Sequence, residues 1–129
     1  MTNQSMNDAL IFYEYVSRSL ERMYGYTING CYTYTRVDTG TDVFIELEQN
    51  NTIIIGYKGS PEREKAAAIL NRRHFSRKYF SDIIIDADRD KIYKRYLFKH
   101  DSSDDLENVI EAEFIRDSLA KLKIEYEKE

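Results

Sequence analysis

Asp86, Asp88 and Asp90, in the run DADRD, stand at the spacing of the first, third and fifth ligands of a calcium loop. That loop also needs glycine at its sixth position, for a sharp turn, and a bidentate glutamate at its twelfth. Here those positions hold Lys91 and Leu97. The run therefore reads as a solvated hairpin turn. Two histidines suffice for general acid and base chemistry, and His74 and His100 are the two present. No spacing ties them to each other, and both have basic neighbours. Cys31, at a predicted strand start with no basic partner nearby in sequence, reads as a small core or edge residue. No Cys/His set has zinc spacing, and GYKGS (56–60) lacks the length and order of a phosphate loop. The expectation is no catalytic residue, no metal ligand, no cofactor and no enzyme activity.

The residues with more functional content are basic and aromatic. Between 66 and 80 the chain reads AAAILNRRHFSRKYF, so Arg72, Arg73, Arg77 and Lys78 interleave with His74, Phe75, Tyr79 and Phe80. YKRYLFK (93–99) repeats the mixture. Basic grooves with aromatic platforms bind single-stranded nucleic acid. The chain as a whole carries −4, however, and carboxylates compete with phosphate for such a surface. Arginines that complement the negative end of a helix, with aromatics entering the core, explain the same run. An acidic protein partner, or the acidic last helix of a second subunit, also satisfies these charges. A structural and protein-contact role ranks above nucleic-acid binding.

Charge is unevenly placed. Residues 1–62 sum to −4, residues 63–100 to +6 and residues 101–129 to −6. Such blocks steer partners more than the overall charge does. The 129 residues fit one domain, 1–129, with 42% apolar and 33% charged residues. One cysteine forms no internal disulfide. With no basic-then-apolar leader pattern and no long apolar run, the expected location is soluble and cytoplasmic.

The positioning elements follow from periodicity. Ala9, Phe12, Tyr13, Val16, Leu20 and Met23 recur every three or four residues and predict a helix over 7–24, capped by Ser5 with Asp8 and ended by Gly25. Strands are predicted at 31–37, at 42–48, where Val43, Ile45 and Leu47 face away from Asp42, Glu46 and Glu48, and at 52–57. Ser60 as N-cap and Pro61 at the first helical position start a second helix, which ends between Asn71 and Phe80. Strands at 82–87 and 91–99 flank the aspartate turn. A last helix is capped by Ser102 and Asp105, with Leu106, Val109, Ile110, Phe114, Leu119, Leu122 and Tyr126 as its apolar positions. The order α-β-β-β-α-β-β-α, with short connections, predicts one α+β domain: a five-stranded antiparallel sheet with the first and last helices covering a face.

This order resembles the YbjN family and the type III secretion chaperones, which share a fold. The likeness runs through AILNRRHFSRKYFSDIIIDADRDKIYKRYLF, where the second helix ends near Asn71, and through the polar loop DSSDD before the last helix. The opening helix, the Gly-aromatic pair in YGY (24–26) and the meander also fit. The resemblance covers nearly the whole chain. It implies a bacterial, non-enzymatic, chaperone-like module that binds a segment of a partner protein, such as an effector, toxin or regulator. It also implies a homodimer, expected to form through 71–80 or the following strand pair. The alternatives are a small immunity or anti-defence inhibitor and a nucleic-acid-binding regulator using 72–78.

In chaperones of this fold an extended client segment packs on the first helix and the early strands. Tyr13, Tyr15, Tyr32, Tyr34 and Phe44 are therefore the candidate partner-binding residues, together with Arg72, Arg73 and Arg77. Phe44 falls on the acidic side of its strand, and tyrosine supplies contact area at low entropic cost. The same aromatics would equally line a core with their hydroxyls at its rim.

Overall fold

A helix of 23 residues, α1 (Thr2–Tyr24), opens the chain. The structure is a computed structural model that describes residues 2–25, 27–29, 32–38, 41–48, 52–72, 81–97 and 105–128. The helix begins upstream of the expected cap because no proline or glycine interrupts residues 2–7. It ends as expected at Gly25, whose φ of 72° needs no Cβ and whose N–H donates to the Glu21 carbonyl at 3.1 Å. Phe12, Tyr13, Val16 and Leu20 are buried, but Met23 in the last turn is exposed.

Among the described residues six strands form one sheet: β1 (Thr27–Asn29), β2 (Tyr32–Asp38), β3 (Thr41–Glu48), β4 (Thr52–Gly59), β5 (Ile84–Asp86) and β6 (Lys91–Leu97). Their spatial order is β1-β2-β3-β4-β6-β5, and every neighbouring pair is antiparallel. Four strands are seven or eight residues long; the two at the edges have three residues each. The class is the expected α+β. The five-strand expectation is corrected to six by β1, whose three residues are too few to show a period and are held by pairing with β2. Between β4 and β5 the chain passes through α2 (Arg63–Leu70), reaches the far edge as β5, and returns as β6 to pair with β4. The last helix is α3 (Asp105–Lys128).

Two local expectations change. The N-cap of α2 is Glu62, without a side-chain cap, so Ser60 and Pro61 precede the helix. The Ser60 carbonyl accepts from the Thr41 hydroxyl at 3.3 Å, and the Glu62 N–H donates to the Tyr126 hydroxyl at 3.2 Å. These tertiary bonds set where the helix starts. Its C-cap is Asn71, one residue after Leu70, so it stops before the basic run.

The helices and one face of the sheet build a single core. Phe12, Tyr13, Val16 and Leu20 of α1, Ala66, Ile69 and Leu70 of α2, and Ala112, Ile115, Leu119, Leu122 and Tyr126 of α3 meet Val43, Ile45, Ile53, Ile55, Tyr57, Ile92 and Tyr96. Inside it, the Tyr57 hydroxyl donates to the Leu122 carbonyl at 2.6 Å, and the Tyr57 ring packs on Tyr126 with centroids 4.9 Å apart. The alternation predicted for β3 holds: Val43 and Ile45 enter this core, and Leu47 packs against it.

A second, smaller cluster holds Phe44, Ile54 and Tyr93. In register Phe44 stands opposite Gly56, and Gly56 opposite Tyr93. A Cβ on Gly56 would collide with the Ile92 carbonyl oxygen and lie 2.6 Å from Tyr93 Cα. Glycine lets β4 and β6 close up there, and the Phe44 and Tyr93 rings meet across the gap edge to face, at 6.3 Å.

Candidate functional site

The charge blocks of the sequence close on one another within the chain. Glu46 of β3 is buried and accepts from Lys91 Nζ at 2.9 and 2.8 Å, with Lys58 Nζ at 3.9 Å. Lys58 and Lys91 also sit over the Phe44 ring, at 5.7 and 5.3 Å from its centroid. Their alkyl stems cover an aromatic while their heads reach a carboxylate, as amphipathic side chains do. Arg95 lies 3.6 Å from Glu48. Arg72 pairs with Glu125 of α3. Basic residues of the middle block thus neutralise acidic residues of both flanking blocks.

This places the candidate residues differently from one another. Phe44 is 0% exposed, and Tyr13 lies in the main core, so neither offers surface to a partner. Burial wins in both cases: Tyr13 shares the inward stripe of α1, and Phe44 fills the space left by Gly56. Tyr15, two residues further along α1, is exposed. Tyr32 and Tyr34 lie on β2 at positions paired with Asn29 and with Thr27 and Phe44. Arg72 is exposed at the end of α2 and is held by its own chain's last helix. Arg73 and Arg77 lie outside the described residues, as do His74, His100 and Cys31.

The open apolar surface is helical, and of its residues sequence reasoning singled out Tyr15 alone as a partner contact. On α1, Leu10, Ile11 and Tyr15 are exposed, and Ile11 is 66% exposed. Ile11 and Tyr15 are four residues apart and share a side of the helix. On α3, Ile110, Phe114 and Ile124 are exposed at 58%, 40% and 51%. Ile110 and Phe114 are among the apolar positions predicted for the last helix. They do not reach the core: α3 carries apolar residues on two faces, and among the described residues Ala112, Ile115, Leu119, Leu122 and Tyr126 enter it. The signal was present as a helix with too many apolar positions for one stripe.

Between these helices one polar knot is fixed. The Tyr24 hydroxyl donates to Asp117 Oδ1 at 2.8 Å, and Arg116 Nε donates to the same oxygen at 3.0 Å. The Arg116 guanidinium, and then the Tyr24 hydroxyl, hold the Asp117 carboxyl below its usual range. Donating to that carboxylate raises Tyr24 in turn.

The DADRD run forms the β5–β6 connection. It is a one-turn 3-10 helix (Ala87–Arg89) capped by Asp86, which accepts from the Arg89 N–H at 3.3 Å, with Asp90 left-handed at φ 52°. Beside it a cleft of about 150 Å³ opens between Ser60, Pro61, Arg63 and Ile85. That is below the range of organic-ligand pockets. Among the described residues no group of three His, Cys, Asp or Glu is placed to hold a metal ion. No described helix is long and apolar enough to cross a membrane. Comparison of the chain with family models, curated proteins and solved structures returns no match.

Proposed function

We propose that this chain is a non-enzymatic, chaperone-like module that binds a segment of a partner protein on the outer face of α1. The observation that carries the reading is the exposure of Ile11 and Tyr15 on one side of a helix that already buries a full apolar stripe. Large apolar side chains grouped on a surface helix are retained for contact, since they add nothing to the core. The element order also supports it: helix, meander, helix, strand pair and helix agree with the resemblance to the YbjN family and the secretion chaperones, with β1 added. The engagement of Arg72 with Glu125 weighs against the nucleic-acid alternative, because that arginine's charge is already balanced within the chain.

The test uses the wild type and an Ile11→Glu, Tyr15→Ser variant of equal thermal stability as capture baits in cells of the source organism. Any captured polypeptide is then purified and remixed with each bait. The expected result is stoichiometric binding to the wild type and at least about a tenfold loss in the variant. Equal binding to both, or capture of nucleic acid instead of a polypeptide, refutes the proposal.

A further inference from the structure

The geometry points to the outer face of α3 as a homodimer interface, occupied by α3 of a second copy of this chain in antiparallel orientation. The inference goes beyond the partner segment proposed for α1 and uses a different helix. Ile110, Phe114, Asp117, Lys121, Ile124 and Lys128 follow one another at steps of four and three, so they lie along one stripe of α3. Lys121 and Lys128 are exposed, as are the three apolar members, and Asp117 is partly exposed. From Ile110 to Lys128 the stripe covers 18 residue steps, about 27 Å of helix.

Its spacing is a palindrome about position 119. A two-fold axis there lays the stripe on its own copy without leaving a member unmatched. Phe114 then meets Ile124 of the second copy, and Ile124 meets its Phe114. Asp117 meets Lys121, and Lys121 meets Asp117. Ile110 lies against the alkyl stem of Lys128 at each end. The interface thus holds three kinds of contact, apolar, opposite-charge and apolar against an alkyl stem, and each occurs twice by symmetry. A parallel arrangement would set Asp117 beside Asp117 and Lys121 beside Lys121, so the charges select the antiparallel one.

The rest of the helix is compatible with this pairing. Tyr24 and Arg116 both bond Asp117 at Oδ1, which leaves Oδ2 for the incoming ammonium. Glu125 and Glu127 border the stripe and would approach acidic residues of the other helix. Glu125 is paired with Arg72 and Glu127 with Lys123 at 2.8 Å, both within the chain. The region 71–80 is not required for this dimer.

Sedimentation equilibrium of the purified chain alone tests the idea, apart from any partner on α1. The expected result is a monomer–dimer equilibrium. Lys121→Glu should weaken it at least about tenfold, because the new carboxylate faces Asp117 at both central pairs. Lys121 is exposed, so that variant should keep the fold, checked by circular dichroism. Register is tested in a Cys31→Ser background by mixing Phe114→Cys chains with Ile124→Cys chains under mild oxidant. Covalent heterodimer is expected from the mixture. Phe114→Cys alone should give little, since its two copies would lie about 15 Å apart along the axis. A chain that remains monomeric at high micromolar concentration, a dimer unaffected by Lys121→Glu, or equal cross-linking of Phe114→Cys alone overturns the inference. The monomer result would leave the stripe to a different protein.

Discussion

The ammonium of Lys91 on β6 donates to both carboxylate oxygens of Glu46 on β3, at 2.9 and 2.8 Å, reaching across β4 and over the ring of Phe44. Glu46 is buried, and Lys91 is nearly so, with its side chain 13% exposed. Removing one partner of a buried pair strands the other charge, whereas removing both need not. Glu46→Ala is therefore expected to lower stability by about 3 kcal/mol. The double variant Glu46→Leu, Lys91→Met should recover much of that loss. Urea unfolding of the three proteins checks both expectations.

Gly56 has no space for a side chain. Gly56→Ala must push β4 away from β6, because the added carbon meets backbone atoms of Ile92 and Tyr93 that have no rotamer to give. The expected loss is about 3 kcal/mol or more, with the Phe44–Tyr93 contact broken as well. A thermal melt reports the size, and hydrogen exchange of the β4 and β6 amides reports the place.

Tyr57 ties the sheet to α3 through its bond to the Leu122 carbonyl. Tyr57→Phe keeps the ring against Tyr126 and removes only the hydroxyl. A loss of about 1 kcal/mol is expected. Tyr57→Ala also empties the core between β4 and α3 and should cost about 3–5 kcal/mol, judged by analogy with other large aromatics. Chemical denaturation separates the two.

Asp117 predicts a pH dependence. Its folded pKa is depressed, so its contribution is fully present above the unfolded value, about 3.9, and is lost as pH falls through the lower folded value. Asp117→Asn should therefore flatten the stability profile below about pH 4 and leave its slope near neutrality unchanged. The carboxylate is about half exposed, with 47% of its side chain accessible, so the effect is read as a change of slope. Unfolding midpoints of both proteins between about pH 2 and 7 measure it.

The element types were legible in the sequence because each rests on local periodicity. The α1 stripe, the alternation in β3, the glycine ending α1 and the turn at DADRD all depend on residues a few positions apart. Three things were decided only when the chain closed. The start of α2 moved to Glu62 because Thr41 and Tyr126, distant in sequence, hold its approach. Phe44 went inside, since the gap at Gly56 is a tertiary fact, whereas the burial of Tyr13 follows the periodic stripe of α1. The two faces of α3 separated only against a neighbour: composition counts Ile110, Phe114 and Ile115 alike, and the sheet selects Ile115. Charge behaved in the same way. Three blocks of unlike sign are visible along the chain, but the pairing of Lys91 with Glu46 and of Arg72 with Glu125 needs strands and helices brought together from distances of 45 and 53 residues. Periodicity is a local property of a sequence, and burial depends on what the fold brings against each face.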